Sequence, residues 1–189
     1  MHFNIKQLYT PPLEIYELNE RALIMDTETV GAGPTVEIIE IAFGDSQGRI
    51  IYESLVRPVF NALPRPSKHH RFERAELLGA PCWTDIWPEV SALIKGRLLI
   101  AYNAAFDRRA LAATCSRYQH VTAERGWRCA MQLVKKMTGT RRSPTLEEAC
   151  ALYGLPGGNH RAARDVQATH QLLEALKESV KQSAEQSVK

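Results

Sequence analysis

The feature that most constrains this fold is a change of rhythm along the chain, from apolar runs joined by a tight turn to apolar runs each followed by a helical pattern. Residues 22–25, Ala-Leu-Ile-Met, form a short apolar run ending in Asp26, which reads as a buried strand whose polar end emerges at an edge. Residues 36–43 and 49–56 flank Asp45-Ser46-Gln47-Gly48, so turn chemistry joins two further strands into a hairpin. Past Gly96 the order changes: residues 98–102 predict a buried strand and residues 106–119 a helix after it. A brief strand at 127–129 then precedes a helix at 131–137. The expected result is an α/β domain on a mixed five-stranded sheet, three antiparallel strands followed by parallel ones, flanked by helices.

Local punctuation fills in the rest. Pro64 and Pro66 mark a loop over 61–67, a short helix over 72–78 stops at Gly79, and Thr84 is expected to cap a helix running to Lys95. Thr145 and Glu148 have the spacing of a capping box that opens a helix closing at Gly154. After the Pro156-Gly157-Gly158-Asn159 loop, Val166, Thr169, Leu172, Leu173 and Leu176 trace one long amphipathic helix from Arg161. The expected divisions are an N-terminal arm over 1–20, broken by Pro11-Pro12, a domain over 21–178, and a polar tail over 179–189 that frays.

With 189 residues, 44% of them hydrophobic and 24% charged, the chain suits one globular domain and excludes a collagen-like or disordered polypeptide. A formal charge of +3, from 24 Lys and Arg against 21 Asp and Glu, permits a polyanionic partner without implying one. Cys82, Cys115, Cys129 and Cys150 form no C-x-x-C pair, so free thiols are expected rather than zinc or disulfides. No basic segment leads an apolar run, and no run approaches the ~20 residues needed to cross a bilayer, so a cytoplasmic location without membrane contact is the expectation.

Three polar patterns stand out from this background. Asp26-Thr27-Glu28 follows an apolar run, and residues two apart on a strand share a face, so both carboxylates converge. Asn103-Ala104-Ala105-Phe106-Asp107 follows the strand at 98–102, at the position where α/β sheets display functional groups. His160 and Asp165 are separated by ~140° on an ideal helix, so both reach one site when His160 lies in the glycine loop and Asp165 in the first helical turns. Singly, each has an ordinary structural alternative: a solvated strand end, a first-turn acid complementing a helix dipole, a surface histidine.

In this order, the residues Asp26-Thr27-Glu28-Thr29, Asn103 to Asp107, and His160-Arg161-Ala162 with Asp165 resemble the three exonuclease motifs of the DEDD superfamily, DnaQ-like, in its His-containing branch, which includes proofreading exonucleases. The likeness spans about residues 21–176. It implies a ribonuclease H-like fold, a site for two Mg²⁺ or Mn²⁺ ions, and stepwise release of nucleoside 5′-monophosphates from 3′ ends. By the same likeness, Asp26, Glu28 and Asp165 would hold the first ion, Asp26 would bridge to the second, Asp107 would act largely through bound water, and His160 would be the general base. Two divalent ions ~3.5–4 Å apart suit phosphodiester hydrolysis because they stabilise both the entering and the leaving oxygen.

Departures from the motif pattern fall outside the four acids and the histidine. Val30 stands between Thr29 and Gly31 where relatives often continue Thr-Thr-Gly, Trp127 to Met131 occupies a segment where relatives often carry Asp-Thr, and His69 and His70 match a common histidine only loosely. Thr27, Thr29, Asn103, Phe106, Arg141 and Arg161 are candidates for substrate contact, although Phe106 also reads as packing the second motif against the sheet, and Arg141-Arg142 as a basic loop. Trp83, Trp87 and Trp127 read as core or anchor residues. Single-stranded DNA 3′ ends are the expected substrate, with RNA 3′ ends as the alternative and a non-catalytic scaffold as the contrasting class. A polymerase or repair complex is the protein partner the resemblance suggests.

Overall fold

The computed structural model describes Asn19, residues 21–63 and residues 72–187. The expected arm over 1–20, apart from Asn19, lies outside the described residues, as do Pro64, Pro66, His69 and His70.

Five strands form one sheet in the order β3-β2-β1-β4-β5. Strands β1 (Ala22–Val30), β2 (Glu37–Gly44) and β3 (Ile50–Leu55) run antiparallel, while β4 (Leu98–Ala101) and β5 (Gly126–Cys129) add in parallel register. The mixed sheet is the one the sequence rhythm predicts. Its hairpin is fixed by Asp45, whose carboxylate accepts the backbone N–H groups of Gln47 and Arg49, with Gly48 at φ +75. β1 occupies the centre of the sheet and runs on past the Asp26-Thr27-Glu28 motif to Val30. Thr29 and Val30 continue it because they pair with Ile38 and Glu37 of β2 beyond a bulge at Glu28/Thr29.

Alternation along β1 divides the core into two layers. Ala22 and Ile24 pack with Leu133, Val166 and Leu172, which belong to α4 (Ala130–Thr138) and α6 (Ala162–Ser187). Leu23 and Met25 face Trp83, Val90 and Leu111, from α2 (Trp83–Ile94) and α3 (Ala104–Arg117). Two short helices, α1 (Arg74–Gly79) and α5 (Leu146–Leu152), complete the flanks. The Thr145–Glu148 capping box is present: Thr145 Oγ1 accepts the Glu148 N–H at 3.2 Å and Glu148 Oε2 accepts the Thr145 N–H at 2.9 Å.

Three helix boundaries are corrected. α2 begins at Trp83, not after Thr84, because Asp85 reaches back to accept the Cys82 N–H at 2.8 Å. α3 starts at Ala104, with Asn103 as its boundary residue. α6 continues to Ser187 instead of fraying after Glu178: Ser179 and Ser183 donate to the carbonyls of Ala175 and Ser179, and Lys181 pairs with Glu178 at 3.8 Å. No helix among the described residues is long and apolar enough to cross a membrane. All four cysteines are free thiols, Cys115 and Cys150 buried, Cys82 and Cys129 half-buried.

Candidate active site

The site forms where β1 outlasts its parallel neighbour. β4 pairs with β1 over Ala22–Ile24, ends at Ala101, and gives way to α3. Beyond that point Asp107, in the first turn of α3, takes the position of a strand partner: its Oδ1 accepts the Thr27 backbone N–H at 3.1 Å and the Thr27 hydroxyl at 2.9 Å. A side-chain carboxylate thus completes the hydrogen bonding of the central strand. Thr27 points toward α3, so by strand alternation Asp26 and Glu28 point to the opposite face, toward α6.

On that face α6 delivers the last pair. His160 precedes the helix at φ +59, a left-handed conformation uncommon outside glycine. The chain reaches it through Gly158, where a Cβ would sit 2.2 Å from Asp165 Oδ1, so glycine is required for this close approach. The Asn159 backbone N–H donates to that same oxygen at 2.8 Å. Placing His160 outside the helix removes the angular mismatch with Asp165. Ligand atoms of Glu28, His160 and Asp165 lie within 4.8 Å of one another, close enough to hold one metal ion.

Electrostatics bind the remaining acids to this cluster. Burial raises the Asp26 carboxyl well above its usual range, and Asp107, Asp165 and Glu28 add repulsion. Glu28 is pushed up to about 8 by burial and then by Asp165, Glu40 and Asp107, with Arg161 acting in the other direction. Burial lifts Asp107 to about 7 even though Thr27 donates to it. Asp165 is also raised by burial, against donation from Asn159 and the charge of His160. Full ionisation of such an array is disfavoured by its surroundings, and a divalent cation would relieve that condition. Carboxylate oxygens grouped in this way suit a divalent metal ion.

The expected substrate residues separate. Asn103 is exposed at the head of α3. Phe106 is 39% exposed, whereas Ala104, Ala110 and Leu111 lie on the buried side of α3. Arg141 is exposed, and its neighbour Arg142 pairs with Glu148 at 2.8 Å. Thr29 is half-buried near the end of β1. Arg161 pairs with Glu40 at 2.9 Å and lies 5.1 Å over the Phe72 ring. Trp83 is core and Trp87 stacks on His120 with centroids 4.9 Å apart.

Sequence reasoning missed two features of the site: the Thr27 hydroxyl as a partner of Asp107, and Glu40. The signal for Glu40 was a lone acid inside the apolar run Ile38-Ile39-Glu40-Ile41, on a strand that is buried throughout.

Comparisons with known proteins identify the family and the fold. The profile of the Exonuclease family (RNase_T) matches residues 23–173. An uncharacterised exonuclease of Escherichia phage 186 is 30% identical over 84% of this chain and 89% of its own length. A PolC-type DNA polymerase III of Thermotoga petrophila is 29% identical over 86% of this chain, which spans 12% of that larger protein. Among solved structures, exonuclease X in complex with 5′-overhanging duplex DNA superposes with a TM-score of 0.59 at 26% identity, covering 84% of this chain and 92% of that one. The shared architecture is the ribonuclease H-like fold.

Proposed function

The chain belongs to the exonuclease family, and from that premise we propose that it is a 3′→5′ exonuclease of the His-containing DEDD branch, trimming single-stranded DNA to nucleoside 5′-monophosphates. The observation that carries the reading is the convergence of Glu28, His160 and Asp165 within 4.8 Å, on the face of β1 that also bears Asp26. DNA is favoured over RNA because exonuclease X is seen with a DNA duplex and a DNA polymerase shares the sequence pattern.

Asp26, Glu28, Asp107 and Asp165 would hold the divalent ions. When bound, Mg²⁺ or Mn²⁺ supplies positive charge to the phosphate and to the entering and leaving oxygens. His160, with 37% of its side chain exposed, takes the proton from the attacking water. Glu147 Oε1 lies 3.9 Å from His160 Nε2. The bond from phosphorus to the 3′ oxygen of the penultimate nucleotide breaks, and the phosphate leaves with the terminal nucleoside. Exposed Phe106 offers a face on which a base can stack, and Arg141 a cation for the strand. A polymerase or repair complex is the assembly in which such trimming is used.

The test is a 5′-labelled oligonucleotide incubated with Mg²⁺, Mn²⁺ or chelator, in matched DNA and RNA forms. A ladder shortening from the 3′ end, dependent on metal and faster on DNA, is expected. Faster RNA digestion would reassign the substrate, and an inert protein would support a scaffold.

A further inference from the structure

Glu28 and Glu40 are direct partners across β1 and β2, yet their carboxylates have different surroundings. Glu28 contributes an oxygen to the cluster with His160 and Asp165. Both oxygens of Glu40 are committed elsewhere: Oε1 accepts from Arg161 Nε at 2.9 Å and Oε2 from the Ala162 backbone N–H at 2.8 Å. Ala162 is the first residue of α6, where a backbone N–H has no acceptor within the helix, so a buried carboxylate is an effective cap. The guanidinium of Arg161 also lies over Phe72, which packs with Ile39, the neighbour of Glu40 on β2. The chain at 161–162 is therefore gripped by β2 through an ion pair, a helix cap and a ring contact.

His160 lies just before this anchor and Asp165 in the first turn of the helix after it. A left-handed backbone at a residue other than glycine persists only where its surroundings fix it. We propose that Glu40 is a positioning residue of the active site: by holding Arg161 and the start of α6 on β2, it sets where His160 and Asp165 stand relative to Glu28. In this reading Glu40 acts through Arg161 and Ala162 rather than as a ligand, and it lies outside the group formed by Glu28, His160 and Asp165. This inference rests on reading His160 and Asp165 as site residues.

The test compares wild type with E40Q, which keeps length and removes charge, with R161M, which keeps the stem over Phe72, and with the double variant. Three effects are read, with KM as the control: kcat on a 5′-labelled DNA oligonucleotide, the Mn²⁺ binding midpoint by calorimetry, and hydrogen exchange of the amides at 159–165 without metal. For E40Q, kcat falls and the Mn²⁺ midpoint rises, each by about tenfold, as for lost outer-shell partners of metal ligands, while KM stays within about twofold. The amides exchange faster in E40Q, R161M shifts all three in the same direction, and the double variant adds little to E40Q because the two residues act as one unit.

Unchanged exchange with a shifted Mn²⁺ midpoint would make Glu40 a ligand and overturn the proposal, as would wild-type values throughout. If E40Q does not fold, R161M decides alone, and wild-type values there also overturn it. If wild type hydrolyses nothing, the reading of function fails, while exchange and Mn²⁺ binding still decide the anchor.

Discussion

Thr27 donates both its backbone N–H and its hydroxyl to one oxygen of Asp107, at 3.1 and 2.9 Å, in the stretch of β1 that β4 no longer accompanies. The central strand is thereby finished by an acid of the site rather than by another strand. Fold and site share this bond, so weakening it should affect both.

Thr27→Val keeps the shape of a buried side chain and removes one donor to a carboxylate, so it should destabilise the protein by about 1–2 kcal/mol. The Asp107 carboxyl, already raised by burial, should rise further, and more Mg²⁺ should be needed for half-maximal activity. Urea unfolding and a Mg²⁺ titration measure the two effects. Normal stability with an unchanged Mg²⁺ requirement would speak against the bond.

Gly158→Ala places a Cβ 2.2 Å from Asp165 Oδ1, so the carboxylate or the loop must move. A displacement of this kind at a metal site should lower kcat by about 10²-fold. Gly79→Ala is the control, since a Cβ there meets nothing within 4 Å. Equal activity of the two variants would contradict the geometry around Asp165.

His160→Ala separates two roles that the geometry allows, proton acceptor and metal ligand. As the general base, its loss should reduce kcat by roughly 10²–10⁴-fold while the Mn²⁺ midpoint stays near that of wild type. A large rise in that midpoint would identify His160 as a ligand instead.

Without metal, the raised carboxyls make stability depend on pH. Glu28 moves from 4.5 to about 8, so between these values the folded state holds more protons than the unfolded one. Stability contributed by the protonated group is therefore complete at low pH and declines as pH rises through about 8. In EDTA, Tm should fall between pH 5 and pH 8 by on the order of 5 °C. Excess Mg²⁺ should remove most of that fall, because the ion binds the deprotonated acids. A flat profile in EDTA would mean that burial and neighbouring acids do not raise these carboxyls.

The sequence made the antiparallel opening and the later parallel strands legible because Asp45 and Gly48 announce the turn, and the glycines after 95 and 153 announce helix ends. Asp26 and Glu28 stood out at the polar end of an apolar run, Asp107 between such a run and a helix, and His160 and Asp165 between a glycine loop and a helix. What stayed hidden depends on register. Thr29 and Val30 gave no sign that β1 runs past Glu28, since this follows from pairing with Ile38 and Glu37. Glu40 reads as one acid in an apolar run until β1 and β2 align and bring it opposite Glu28 and against α6. Phe106 read both as a packing residue and as a substrate contact, and its 39% exposure follows from its place on α3 outside the positions of Ala104, Ala110 and Leu111.

The central claim is that Asp26, Glu28, Asp107 and Asp165 gather divalent ions at one site. Crystals soaked in Mn²⁺, measured at a wavelength where manganese scatters anomalously, test it most directly. The account predicts anomalous peaks at about 2.1 Å from oxygens of Asp26, Glu28 and Asp165. An anomalous map without a peak there, from crystals that take up Mn²⁺ elsewhere, would contradict it.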